Sequence, residues 1–252
     1  MESSEVRVSG TYISPRAVLG RRVRIGQGTQ LFGNVIIGDD VIIDANVTLG
    51  YPSADAIRKR LPEDSFQTTE ELLEDAASET TEVGEGSIVR RFCVIYEGVT
   101  AGPRLDCAHY VTVRERCTLE RNVELGPFTY IKRECQIGEY SRIAGEICDR
   151  TVVGRYCTVY GRTIHKFYSG ISGLKEESPR IEDGVIVGRE ACVVGPVTVE
   201  RLSLIGAGSV VTHSIEEKSV VVGNPARVLR QREREEAVEL WEKVEGLNHD
   251  SL

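Results

Sequence analysis

Residues 83–143 read VGEGSIVRRFCVIYEGVTAGPRLDCAHYVTVRERCTLERNVELGPFTYIKRECQIGEYSRI. Every sixth position is apolar: Val83, Val89, Ile95, Ala101, Cys107, Val113, Leu119, Leu125, Ile131, Ile137 and Ile143. A chance pattern does not hold phase through ten consecutive hexads. A fixed internal period marks a repeat architecture, in which each unit buries its apolar side only against its neighbours.

The same beat runs upstream through Ile13, Leu19, Ile25, Leu31, Ile37, Ile43 and Leu49. Four residues after each of the first six stands a small or β-branched side chain: Ala17, Val23, Thr29, Val35, Val41 and Val47. Downstream the register slips by four residues to Ile147 and continues through Val153 and Val159. After a second break it resumes at Ile181 and runs through Val187, Val193, Val199 and Ile205 to Val211.

A six-residue unit supplies one short strand and one corner. About three units (~18 residues) close a triangular coil, and coils stack at about 4.8 Å. This predicts an all-β fold, a parallel β-helix. The aliphatic residue fills the interior, and the one four later must be small because it points into the same narrow prism. Gly33, Asn34 and Asn46 suit corners that need positive φ. The 25 complete hexads predict about eight coils, a rod on the order of 40 Å long. Cys93, Cys117, Cys135 and Cys157 fall at the small inward position and Cys107 at the aliphatic one, where cysteine acts as a small buried hydrophobe. Cys148 and Cys192 fall at neither, and no C-x-x-C pair occurs.

Residues 51–82 interrupt the period. Between Glu63 and Glu82 lie eight acids and no Lys or Arg, the composition of a solvated acidic loop. Thr68-Thr69-Glu70-Glu71 ahead of Leu72 and Leu73 predicts a short helix opened by a capping box. Insertions in solenoids collect on one face and often line the binding site. A second excursion, 165–180, is rich in Gly, Ser and Lys and reads as an exposed, mobile loop. The β-helix domain thus spans 1–230, and 231–252 form a C-terminal helix and tail. Ala237, Leu240, Trp241 and Val244 recur at helical spacing, with Gly246 placed to end the helix. Such a helix can pack on the rod or a neighbour, and cover the unpaired edge that an open β-helix end presents.

The formal net charge of -8 argues against a nucleic-acid partner, which calls for a basic patch. No apolar run reaches the roughly 20 residues of a membrane span. The start, MESSEVRVSG, lacks the basic and apolar regions of a secretory signal. A cytoplasmic protein without a membrane partner is the expectation.

Two segments carry a family resemblance: Leu204-Ile205-Gly206-Ala207-Gly208-Ser209-Val210-Val211-Thr212 and Val222-Gly223-Asn224-Pro225-Ala226-Arg227-Val228. With the hexad train they resemble the hexapeptide-repeat acyltransferase superfamily, whose members are left-handed β-helices. The likeness covers nearly the whole chain outside 51–82, and it is strongest to sugar acetyltransferases of nucleotide-sugar pathways. It implies acetyl-CoA as acyl donor and an amino or hydroxyl group of a nucleotide-linked sugar as acceptor. It also implies a homotrimer with clefts between adjacent helices, and no metal. A fused nucleotidyltransferase is not expected, because no Gly-rich nucleotide-binding domain precedes the repeats.

Acyl transfer needs a base for the acceptor's proton, and histidine is the usual choice. His109, in Asp106-Cys107-Ala108-His109-Tyr110-Val111, resembles the small-residue–His–Asp/Asn stretch that carries the base in sugar N-acyltransferases, with Tyr110 standing where Asp or Asn is usual. Its register directs the ring outward from a coil side. His165 opens the second loop, where another group of these transferases keeps its base. It is the acceptor contact or alternative base, about three coils (roughly 14 Å) from His109. His213 stands at a position usually Lys and is expected exposed; His249 is set aside as terminal. The resemblance assigns CoA contacts to the backbone of Gly188, Gly206 and Ala207, with Arg227 or Arg230 near phosphate.

Two rival readings stand beside this one. The first is a non-enzymatic β-helix scaffold or assembly subunit. The second is a γ-class carbonic anhydrase, which needs three histidines on one zinc; His109 and His165, 56 residues apart, do not suit it.

Overall fold

The hexads close into coils. In a computed structural model, which describes residues 10–61, 68–166, 177–236 and 238–246, short strands and tight corners wind into a left-handed parallel β-helix of about 11 turns. Strands 18 residues apart pair in register, as Asp106–Cys107 does with Glu124–Leu125. The first face holds seven strands, from Tyr12–Ile13 to Glu146–Ile147, and is continued by Arg162–Ile164, Cys192–Val194 and Val210–Val211. The second holds nine, from Val18–Leu19 to Thr198–Val199. The third holds eleven, starting at Arg24–Ile25 and ending in the antiparallel hairpin Ser219–Gly223/Ala226–Gln231.

The expected eight coils are too few. An unbroken run has one more side than it has intervals, and the sides carrying Thr163, Ile215 and Val221 lie outside the hexad phase. At about 4.8 Å per coil the rod is about 50 Å long.

Aliphatic side chains and cysteines fill the prism, and all seven cysteines are buried and free. The five assigned to the core stand there. Cys148 is also buried: its N–H donates to Thr163 Oγ1 at 2.9 Å and its Sγ lies 3.2 Å from Thr151 Oγ1. Cys192 is buried on the outer side of the first face, with Arg162 as its strand partner.

Corners take the left-handed backbone conformation whatever residue stands there. Asn46 does so, and so do Phe92, Tyr110, Phe128, Tyr140 and Tyr156, with φ between 55° and 64°. Each such non-glycine residue costs about 1–2 kcal/mol. Bonds to the coil below offset the cost, as where Tyr110 N–H donates to Arg91 O at 3.1 Å. Repetition of one backbone shape also stacks the rings, with Phe92, Tyr110 and Phe128 at successive centroid spacings of 5.0 and 5.2 Å.

The insertion carries two helices, α1 (Ala54–Arg60) and α2 (Thr69–Ala76). The capping box at Thr68 and Glu71 is present; α1 has its own cap at Ser53, which the sequence reading passed over. The last helix, α3 (Val238–Gly246), does not cover an end of the rod. It lies along the corner between second and third faces, where Val244 and Leu240 pack on Leu202 and Tyr156. The hairpin forms the last rung instead, and among the described residues nothing covers the first coil, where inward Ile13 and Leu19 are 44% and 40% exposed. Residues 167–176 of the predicted loop, Ala237, the Trp241 side chain and His249 lie outside the described residues. Among the described residues no helix is long and apolar enough to cross a membrane.

Candidate active site

Acyl transfer requires a base, a channel for an extended thioester and room for an acceptor. The corner between third and first faces carries His109 and an adjoining groove along one edge. His109 follows Ala108 on this edge, so it stands exposed in a corner turn rather than on a flat coil side, correcting the expected placement. Two ladder bonds fix its backbone, because its carbonyl accepts Phe128 N–H at 3.1 Å and Tyr110 N–H bonds to Arg91 O. Asp44, on the same edge, is the carboxylate within electrostatic reach of His109. The Ala45 N–H at 2.7 Å holds Asp44 below the usual carboxylate range, and Arg91, 3.3 Å away, adds to this.

Above His109 the first side position of each corner is small: Ala108, Gly126, Ala144. The resulting groove of about 350 Å³ is bounded by Arg90 and Asp106 below and Tyr160 and Arg189 above. Arg90 pairs with Asp106, and Arg142 with Glu124 at 2.6 Å. The bond to Glu124, then one to Tyr160, raises the Arg142 guanidinium above its usual range.

Next to this groove the corner itself is cut back. It holds four residues at 108–111 and 126–129, but only Ala144-Gly145 and Tyr160-Gly161 in the next two coils. The backbones meet closely there. A Cβ on Gly145 would clash with the Gly161 carbonyl oxygen, and one on Gly161 with that of Ala191. A slot of about 200 Å³ results, lined by Glu146, Arg162 and Glu190 as well as the two glycines.

Gly188, Gly206 and Ala207 lie on the same edge as His109, four and five coils higher. Gly188 has a packing reason of its own, since a Cβ would stand 2.6 Å from Ala207 N. Arg227 sits opposite Val222, two rungs above Gly206, and is exposed. Arg230 pairs with Val220 nearer mid-face and is engaged by Glu236 at 2.6 and 3.2 Å. His165 is elsewhere. It follows Thr163 on the opposite corner, between first and second faces, three coils above His109. His213 is exposed on that corner too, with Nδ1 3.0 Å from Thr212 Oγ1. Hence His109, His165 and His213 do not converge, and the described residues hold no group of three side chains able to bind a metal.

No family model matches the chain. Sequence relatives do. The bifunctional protein GlmU of Methylococcus capsulatus is 27% identical over 234 residues, covering 92% of this chain and 42% of the relative. These relatives and the β-helix fit the hexapeptide-repeat acyltransferase superfamily. A second relative, the mitochondrial serine acetyltransferase 3 of Arabidopsis thaliana, is 32% identical over 106 residues, 41% of this chain and 25% of that one. Among solved structures, a UDP-N-acetylglucosamine acyltransferase aligns with a TM-score of 0.50 and 16% identity, over 96% of this chain and 79% of the other, a likeness of fold. The chain spans less than half the length of the GlmU relatives it matches.

Sequence reading missed the slot. One slip, Ile143 to Ile147, was visible; the second, Val159 to Thr163, was masked because a threonine fills the inward position. Arg162, Arg189 and Tyr160 gained meaning only with it.

Proposed function

We propose that the chain transfers an acyl group from a CoA thioester to an amino or hydroxyl group of a nucleotide-linked sugar, with His109 as general base. The observation that carries this reading is alignment: His109 shares one edge with Gly188, Gly206 and Ala207. From Ala108 to Gly188 is four coils, roughly 19 Å, a length suited to an extended donor. In this reading its adenosine end lies near the last coils and its thioester near His109. Arg227, exposed above Gly206, meets phosphate; Arg230, occupied by Glu236, contributes less.

The step balances as follows. His109 accepts the proton from the acceptor's nitrogen or oxygen as that atom bonds to the thioester carbonyl carbon. The C–S bond then breaks, and the imidazolium returns its proton to the departing CoA sulfur. The ladder-fixed corner holds the backbone that carries the ring, which general-base catalysis rewards. A neighbouring copy in a homotrimer closes the open side of the edge. The names of the sequence relatives, one a serine acetyltransferase, support acyl transfer in general. His165, on another corner, is assigned an acceptor contact reached from the neighbouring copy.

The test is release of free thiol from acetyl-CoA offered with a panel of nucleotide-linked amino- and hydroxy-sugars. The reading predicts acceptor-dependent release. Thiol release never exceeding that of acetyl-CoA alone would favour the scaffold reading.

A further inference from the structure

Phe128 tops the stacked ladder beside His109. Its lower face rests on Tyr110, with ring planes 5° apart. In an uninterrupted coil the residue 18 positions on would cover its upper face, but the shortened corner at Ala144-Gly145 removes that residue. Phe128 is accordingly 72% exposed, against 44% for Phe92 and 49% for Tyr110. The corner at Tyr160-Gly161 is cut equally, so a full corner returns only at Gly188–Ala191, three coils up, about 14 Å. The opening therefore starts one coil above Phe128, with a back wall without Cβ atoms at Gly145 and Gly161, and Arg189 and Glu190 at its upper side.

Its charges complete the picture. Arg162 and Arg189 have no carboxylate partner among the described residues; Arg162 adjoins Cys192, and the Arg189 guanidinium stands 5.4 Å from the Tyr160 ring centroid. Glu146 is held by Lys132 at 2.8 Å, while Glu190 also lines the slot. An aromatic face accepts any planar base, guanidinium groups pair with phosphate, and a carboxylate accepts bonds from ribose hydroxyls.

We propose that this slot is a nucleotide subsite in which Phe128 is the stacking platform for the base and Arg162 and Arg189 meet its phosphates. The proposal deepens the acyl-transfer reading and rests on it for why a nucleotide comes to this edge. The nucleotide belongs to the acceptor, since the adenosine end of CoA is placed near the last coils.

Calorimetric titration of the full chain with UDP, dTDP, CoA and pantetheine tests it. Phe128→Ala should weaken nucleotide binding about 5- to 150-fold. Phe128→Trp should restore it, and Arg162→Ala should weaken it with the melting temperature unchanged. Weakened UDP or dTDP with unchanged CoA is the expected result; weakened CoA with unchanged pantetheine would put the donor's adenosine in the slot and overturn the assignment. If wild type binds none of the nucleotides, or Phe128→Ala leaves all three within twofold, the subsite is wrong. Thiol release surviving that result leaves acyl transfer standing. Conversely, Phe128-dependent nucleotide binding in a protein that releases no thiol leaves the subsite standing alone.

Discussion

Gly145 and Gly161 approach so closely at the shortened corner that a methyl group on Gly145 would overlap the Gly161 carbonyl oxygen. Backbone cannot yield as a flexible side chain does, so Gly145→Ala should destabilise the fold by about 2–3 kcal/mol, the upper part of the overpacking range. Gly208→Ala is the control: its φ is +69° but nothing lies within 4 Å of the added methyl, and a cost of only about 1 kcal/mol is expected. Urea denaturation of the two variants checks the geometry. Equal losses would mean that the corner is not cut back as described.

Glu97 pins the insertion to the rod. Its buried carboxylate accepts N–H bonds from Ser53 at 2.8 Å, Ser78 at 2.9 Å and Glu79 at 3.2 Å, holding both ends of the two-helix excursion. Charge-assisted bonds of this kind contribute about 1.5–3 kcal/mol each, not additively. Glu97→Ala should therefore make residues 51–80 open to limited proteolysis while the coil stays resistant, with Glu97→Gln intermediate. Equal resistance of wild type and Glu97→Ala would show that other contacts hold the insertion.

Burial pushes the Cys157 thiol up to about 12 from an ordinary 9.0. The folded state thus keeps a proton that the unfolded chain loses, so this contribution is complete below pH 9 and disappears as pH rises toward 12. Stability should fall with a slope of about 1.4 kcal/mol per pH unit from this thiol over that window. Denaturant titrations between pH 8 and 11 should show a shallower decline for Cys157→Ala than for wild type. Parallel curves would place the thiol in contact with solvent.

Much of this was legible in the residues, for a physical reason. A narrow prism admits one aliphatic and one small side chain per side, so Val89, Cys93, Ile95 and Val99 declare the coil by spacing alone. The Thr68–Glu71 capping box was equally readable, because its bonds join near neighbours. What escaped depends on stacking between coils. Phe92, Tyr110 and Phe128 are 18 residues apart and meaningless singly. His109 could be placed two residues past an inward position, yet whether that point is a flat side or a corner follows only from the three-dimensional turn. The position of α3 escaped for a similar reason: its apolar stripe says that it packs, while Leu202 and Tyr156, far away in sequence, decide where.

Assembly is the fourth expectation. If a neighbouring copy closes the edge at His109, sedimentation equilibrium at micromolar concentration should return a mass near three chains. A monomer under those conditions would remove the shared cleft.

The most direct measurement compares His109→Ala with His165→Ala in steady-state acyl transfer. A general base supplies about 10²–10⁴-fold in rate, so His109→Ala should lower kcat by that much with little change in acetyl-CoA affinity. His165→Ala, an acceptor contact on another corner, should chiefly raise KM for the acceptor. If His165→Ala abolishes kcat while His109→Ala turns over like wild type, the base is not on the edge shared with Gly188 and Gly206, and the account is contradicted.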